Sequence, residues 1–297
     1  MTAPYLSVAL TGRNDNYGEN FLTRINTFVQ ALDRQAKLYP GLMELIITEW
    51  NPLPDKKSLS EVLEPTTALP VRIITVDPET HATLNTPTPV LEYHGKNVGI
   101  RRARGEFVLS TNPDILLSDE MIQEFSRRWL RKDCVYRTDR YDYVGTGIEK
   151  IAVDNLIEFA KSKVFQAHLN NGSVDVSAGA TDLPASDPLS NFLHTNGAGD
   201  FILASREAFF TARGLWESTQ QKWHMDSYSL IRLVSSGLKQ IIMTGPMCAF
   251  HMDHARGAAD AAWDAALATK VAPALGNTNW GLGNINLTES DIWRTKD

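Results

Sequence analysis

From Tyr5 to Ile122, short apolar runs alternate with stretches of helical periodicity, and no other feature of the chain restricts its fold as much. Tyr5 to Leu10 reads as a strand that breaks at Thr11-Gly12-Arg13-Asn14-Asp15. From Asn20 the apolar residues Phe21, Leu22, Ile25, Phe28, Val29 and Leu32 recur at helical spacing until Tyr39-Pro40-Gly41. Leu45 to Thr48 and Val71 to Val76 are two further strands, and Glu79 to Pro89, rich in Thr and Pro, is predicted to be an irregular excursion. Asn97 to Arg104 reads as a helix ended by a left-handed Gly105, and Phe107 to Thr111 as a short buried strand. This alternation predicts an α/β fold: a mostly parallel central sheet with right-handed crossovers, flanked by helices. In such sheets ligands collect beyond the carboxyl ends of the strands. Three polar turns fall there: Arg13 to Asp15, Glu49 to Pro52, and Asn112-Pro113-Asp114.

The second half is less regular. A helix from Ser118 or Asp119 to about Arg131 carries acids in its first turn and bases in its last, complementing the helix dipole. Val135 to Tyr143 is predicted as one strand and Glu149 to Leu169 as one helix. Asn170 to Pro188 is small, polar and turn-forming, and is expected to be a mobile loop, a possible lid. Phe201 to Ala204 reads as a strand, with Ser205 capping the helix that Gly214 ends. Asp226 to Ser236 is a helix closed by Gly237, and Gln240 to Met243 a strand. The tail from Arg256 is expected to start helical and end as a loop. A single domain over residues 1–297 is expected, divided near residues 122 and 254 into two halves and an extension.

Charge and composition exclude several classes. The net charge of -6 and the purely local basic clusters argue against a nucleic-acid partner. No apolar run approaches a membrane span, and the N-terminus lacks the charged head and apolar middle of a secretion signal. Cys134 and Cys248 offer neither a disulfide framework nor paired metal-ligand spacing. A soluble, cytoplasmic protein is the expectation.

Taken together, Arg13-Asn14-Asp15 after the first strand, Glu49 after the second, KNVGIRRARGEFVLSTNPD, NGAGDFILASREAFFTARGLWES, HMDSYSLIRL and His251 resemble the succession of motifs in glycosyltransferase-A enzymes. The similarity is greatest to the family 2 glycosyltransferases that use nucleotide-diphospho-sugars, and it covers the whole chain in element order. The resemblance implies a Rossmann-like nucleotide-sugar-binding half to about residue 122 and an acceptor-binding, catalytic half to about residue 254. Arg13, Asn14, Asp15, Glu49, Asn97, Arg101 and Asn112 would contact the nucleotide or its diphosphate. Asp114 and His251 would hold Mn²⁺ or Mg²⁺, and Asp226 would be the general base. The donor implied is a nucleotide-diphospho-sugar, with UDP favoured, and the acceptor a carbohydrate or small-molecule hydroxyl. The chain departs from the family where Asn112 stands for the first acid of Asp-x-Asp and Met225 for the Glu of a Glu-Asp pair.

The chemistry explains why such residues are needed. Expelling a diphosphate demands charge neutralisation, which a divalent cation on oxygen ligands supplies. The acceptor hydroxyl needs a carboxylate or imidazole in line with the anomeric carbon, and direct attack inverts that carbon. Each residue also has a structural reading: Asp114 as a turn acid, Asp226 as a helix cap, His254 as a surface residue, and the Arg101, Arg102 and Arg104 cluster as a solvated helix end. Two alternatives stand beside the transferase: a nucleotide-sugar-binding protein without catalysis, and a sugar nucleotidyltransferase.

Overall fold

The computed structural model describes residues 3–221, 223–255 and 263–292. The strands are β1 (Leu6–Gly12), β2 (Met43–Trp50), β3 (Val71–Val76), β4 (Phe107–Ser110), β5 (Ile115–Leu117), β6 (Cys134–Thr138), β7 (Arg140–Tyr143), β8 (Val164–Leu169), β9 (Gly172–Asp175), β10 (Ile202–Ser205), β11 (Lys239–Met243), β12 (Ala249–Met252) and β13 (Thr288–Asp291). The helices are α1 (Phe21–Leu38), α2 (Leu59–Val62), α3 (Pro78–Ala82), α4 (Glu92–Arg102), α5 (Asp119–Ser126), α6 (Leu156–Ser162), α7 (Arg206–Ala212), α8 (Met225–Ser235) and α9 (Ala265–Val271). Eight strands form one sheet in the order β11-β6-β10-β4-β1-β2-β3-β13, and five form a second in the order β5-β12-β7-β8-β9.

The parallel core of the large sheet is β4-β1-β2-β3, as the alternation predicts. β10 runs against both β4 and β6, and β13 runs against β3, so the sheet is mixed at its flanks. Both faces are buried, which is why its strands read as continuous apolar runs. Val8, Leu45 and Ile47 pack with Phe28 and Val29 of α1 on one side, while Ala9 and Ile46 pack with Val98 and Ile100 of α4 on the other. Two glycines let α4 lie close to β1: a Cβ on Gly95 would meet Thr11 Oγ1 at 2.4 Å, and one on Gly99 would meet the Cβ of Ala9 at 3.2 Å.

Several boundaries differ from the sequence expectation. Helix α4 starts at Glu92 and ends at Arg102, and the residues after it are extended. Gly105 therefore serves close packing rather than a left-handed cap: a Cβ there would sit 2.6 Å from the backbone N of Ser7. The excursion after β3 contains the short helix α3, capped by Asp77. Helix α5 stops at Ser126, because Arg128 adopts a left-handed φ of 55°, so the expected basic last turn lies beyond the helix.

Val135 to Tyr143 is two strands in two sheets, with the chain changing sheet at Asp139, whose buried carboxylate accepts from the N–H and Oγ of Ser186. The long helix expected over Glu149 to Leu169 is a pair of 3₁₀ turns, α6, and then strand β8. Phe165, Ala167 and Leu169 alternate there with Gln166 and His168, a period of two that the helical reading ran across.

The expected mobile loop at Asn170 to Pro188 begins as β9 paired to β8 and is then tied down. Tyr141 Oη donates to the carbonyl of Pro184 at 2.7 Å, and Asp139 holds Ser186. The start of the tail helix expected from Arg256 lies outside the described residues, which resume before α9. Among the described residues no helix is long and apolar enough to cross a membrane.

Candidate functional site

A cleft of about 680 Å³ opens at the carboxyl ends of β1 and β4, where the large sheet meets the small one. Its floor is built by the turn after β4. Thr111 Oγ1 donates to the carbonyl of Asp200 and Asn112 Nδ2 to the Asp200 carboxylate, both at 2.7 Å, which fixes the turn against the chain entering β10. The turn then leads into β5, which pairs antiparallel with β12 so that His251 faces Ile115, and Met252 donates its N–H to the Asp114 carbonyl. This pairing brings Asp114 and His251 together from distant parts of the sequence.

Asp114 is the electrostatic centre. Its Oδ2 takes Arg24 Nη1 at 2.8 Å and His254 Nε2 at 3.0 Å, while Oδ1 lies 3.9 Å from His251 Nε2. Burial alone would raise its pKa. His251, the hydrogen bond from His254 and the charge of Arg24 outweigh that and hold the carboxyl well below the usual carboxylate range.

Oδ1 is buried and has no hydrogen-bond partner. One ligand atom each from Asp114, His251 and His254 lies within 4.8 Å of the others, a spacing from which three ligands can converge on one cation. The donor set fits a divalent metal: an ionised carboxylate with an unengaged oxygen and two imidazoles. Two imidazoles suit Mn²⁺ better than Mg²⁺, which prefers an all-oxygen shell.

The same cleft is lined by Asp226, in the first turn of α8. The cap position belongs to His224, with a left-handed φ of 59°, so Asp226 is not the helix cap. Its Oδ2 accepts the N–H of Gly199 at 3.0 Å and its Oδ1 the N–H of Ser227 at 2.7 Å. The Gly199 carbonyl is in turn held by the fully buried Lys96 Nζ at 2.9 Å. Beside them burial, with Asp226 and Glu92 nearby, pushes the Tyr93 hydroxyl well up, so it is a protonated phenol throughout the neutral range. Further along the cleft, burial pushes His94 down to about 4, leaving a neutral imidazole there.

The residues expected to touch a nucleotide divide into two groups. Arg13, Asp15 and Asn112 line the cleft with Asp114, Asp226 and His251. Arg13 pairs with Asp15 at 2.7 Å and reaches the Pro89 carbonyl at 3.3 Å. Four others are not brought to it. Asn14 donates to the Lys57 carbonyl at 2.9 Å outside the lining. Glu49 is buried behind it, accepting the N–H of Leu59 at 2.8 Å, and burial raises its pKa. Asn97 is fully buried and grips Leu215 through both amide atoms at 2.8 and 2.9 Å. Arg101 lies over the Trp280 ring and donates to the Trp280 carbonyl at 2.9 Å, holding the C-terminal segment.

Sequence reasoning missed Arg24, Asp200 and Arg140, and weighed His254 as part of a weak His-x-x-His pattern with His251 while favouring a surface role for it. Arg24 carried a signal, because it interrupts the apolar stripe of Phe21, Ile25 and Phe28 on α1, where a charge must be paired. Asp200 and Arg140, which form an ion pair with each other, carried no pattern of their own.

No protein-family profile matches the chain, and no curated protein matches it in sequence. Its structure is similar to that of S. aureus TarS residues 1–349 in complex with UDP-GlcNAc, with a TM-score of 0.51 at 11% identity, covering 85% of this chain and 59% of that one. Against the same TarS fragment in complex with UDP the TM-score is 0.50 at 11% identity, covering 84% of this chain and 60% of that one. The chain thus spans about 60% of the TarS fragment it matches. The fold shared with these structures is the α/β architecture expected from the sequence, a large sheet flanked by helices.

Proposed function

We propose that the protein is an inverting glycosyltransferase that moves a sugar from a nucleoside-diphosphate sugar, with UDP favoured as the nucleotide, to an acceptor hydroxyl. The observation that carries this reading is the meeting of Asp114, His251 and His254 in one cleft with Asp226, beyond the ends of parallel strands. TarS, similar in fold, has been crystallised with UDP and with UDP-GlcNAc, and this supports the choice of donor class.

Asp114, His251 and His254 would hold a divalent cation, Mn²⁺ on the chemistry of the donors, and its charge would offset that of the departing diphosphate. Arg24, paired to Asp114, keeps the carboxylate ionised and adds positive charge beside the same oxygen. Arg13 and the loop after β1 would bind the nucleotide. Asp226, held by the Gly199 N–H, would accept the proton of the acceptor hydroxyl as its oxygen bonds to the anomeric carbon and the bond to the diphosphate oxygen breaks. Attack from the side opposite the leaving group inverts the anomeric configuration.

Titration calorimetry with UDP and UDP-sugars, with and without Mn²⁺, tests the proposal. UDP binding that strengthens at least tenfold with Mn²⁺ is expected. No binding of any nucleotide-sugar in either condition would sink it.

A further inference from the structure

The small sheet carries a second set of polar groups, which meets the cleft at His251 and Arg140. Along β12, β7, β8 and β9, His251 stands opposite Asp142, Arg140 opposite His168, and His168 opposite Ser173. These side chains share one face of the sheet, whereas Tyr141, Tyr143, Ala167, Leu169 and Phe250 fill an apolar core on the other.

Asp142 lies at the middle of the row. Its Oδ1 lies at ion-pair distance from Arg140 Nε, 2.9 Å, and His251 Nδ1, 3.3 Å, and its Oδ2 is hydrogen-bonded to His168 Nε2 at 3.1 Å and Arg140 Nη2 at 3.2 Å. His168 Nδ1 is met by Ser173 Oγ at 2.8 Å, at the exposed edge strand.

We infer that Asp142 is the positioning residue for His251: its carboxylate holds the imidazole proton on Nδ1, so that Nε2 presents its lone pair toward Asp114 Oδ1. This deepens the metal-assisted reading above and rests on it for its catalytic meaning. A neutral imidazole has one N–H, and the acceptor facing it decides which nitrogen carries it. Asp142 Oδ1 lies 3.3 Å from Nδ1, within reach of the ring proton, whereas Asp114 Oδ1 lies 3.9 Å from Nε2, beyond hydrogen-bond distance. Asp142 cannot turn away, because Arg140 engages both its oxygens and His168 one of them. Arg140 is itself anchored on its far side by Asp200. The row therefore keeps the ring plane and the tautomer set before any cation arrives.

Long-range ¹H–¹⁵N correlation spectra of the histidine rings in the full chain without metal test this. The His251 signal, assigned by its loss in His251→Gln, is expected to show the proton on Nδ1 in the neutral form of the ring. An Nε2–H tautomer in the wild-type protein would overturn the inference, whatever the variants do. In Asp142→Asn the Nδ1–H preference should be lost and Mn²⁺ affinity should fall by about 10- to 100-fold. His168→Gln keeps an amide donor toward Asp142 and should leave the His251 tautomer unchanged, with Mn²⁺ affinity within about threefold of wild type. An unchanged tautomer in a folded Asp142→Asn protein would also overturn it. A wild-type protein that shows the Nδ1–H tautomer yet binds no Mn²⁺ would sink the metal reading and leave the positioning of His251 standing.

Discussion

Asp114 and Arg24 are each almost entirely buried, and neither could remain there alone. Removing one partner of such a pair strands the other, so Asp114→Asn is expected to lose about 3–5 kcal/mol in urea unfolding at pH 7. The pH dependence has a definite sign. Asp114 has a depressed pKa in the folded state, so its stabilisation is fully present above its unfolded value of about 4 and is lost as pH falls below that. Wild type should therefore lose more stability than Asp114→Asn between pH 5 and the acid limit of folding, and parallel curves would refute the assignment. Glu49 makes the opposite case. Its ionisation is penalised by burial and one oxygen has no partner, so Glu49→Gln should leave stability unchanged or improved, with UDP affinity within about twofold of wild type. The sequence puts Glu49 in a turn past the second strand, but it lies inside β2, which runs on to Trp50, and its side chain is buried against Leu59 rather than presented at the strand end.

Among the elements, those with a long and uniform periodicity were legible. α1 and the parallel strands are where the sequence puts them, because burial on one or both faces writes itself into the apolar pattern. β5 and β8 were not, and for different reasons. β5 is three residues long, too short for any period, and β8 follows α6 with only Lys163 between them, so one apolar tract spans both. Both strands belong to the five-stranded small sheet, where β5 pairs with β12 and β8 with β7, so neither the meeting of His251 with Asp114 nor that of His168 with Asp142 was legible as a strand pairing. The contact of α4 with β1 offers a direct test. Gly95→Ala forces a methyl group onto Thr11, which itself bonds the Glu92 carbonyl at 2.8 Å. A loss of about 1–3 kcal/mol is expected in denaturant unfolding, as for other overpacked contacts. The segment leading to the cleft should likewise resist proteolysis at Ser186, since Asp139 holds both its N–H and its hydroxyl, and preferential cleavage there would contradict that anchoring.

Across the whole molecule, the cleft belongs to neither sheet alone. The large sheet contributes Arg13, Asp114 and the approach to Asp200, the small sheet contributes His251 and Arg140, and α8 contributes Asp226. A ligand that bridges them should stabilise the entire fold. UDP at about a hundred times its dissociation constant is expected to add about 2.7 kcal/mol, read as a rise in melting temperature, and at one fixed UDP concentration the rise should be larger with Mn²⁺ than without it.

The pairing of β5 with β12 has a kinetic consequence. Asp114 and His251 meet only when a strand from the first half of the chain closes on one near its end, so the trio is a contact of long sequence separation. Closing so long a loop carries an entropic cost that local helices such as α1 do not bear. During refolding, the capacity to capture a cation should consequently appear after the bulk of the helical signal has recovered. Gain of metal binding would then serve as a clock for the final closure of the small sheet.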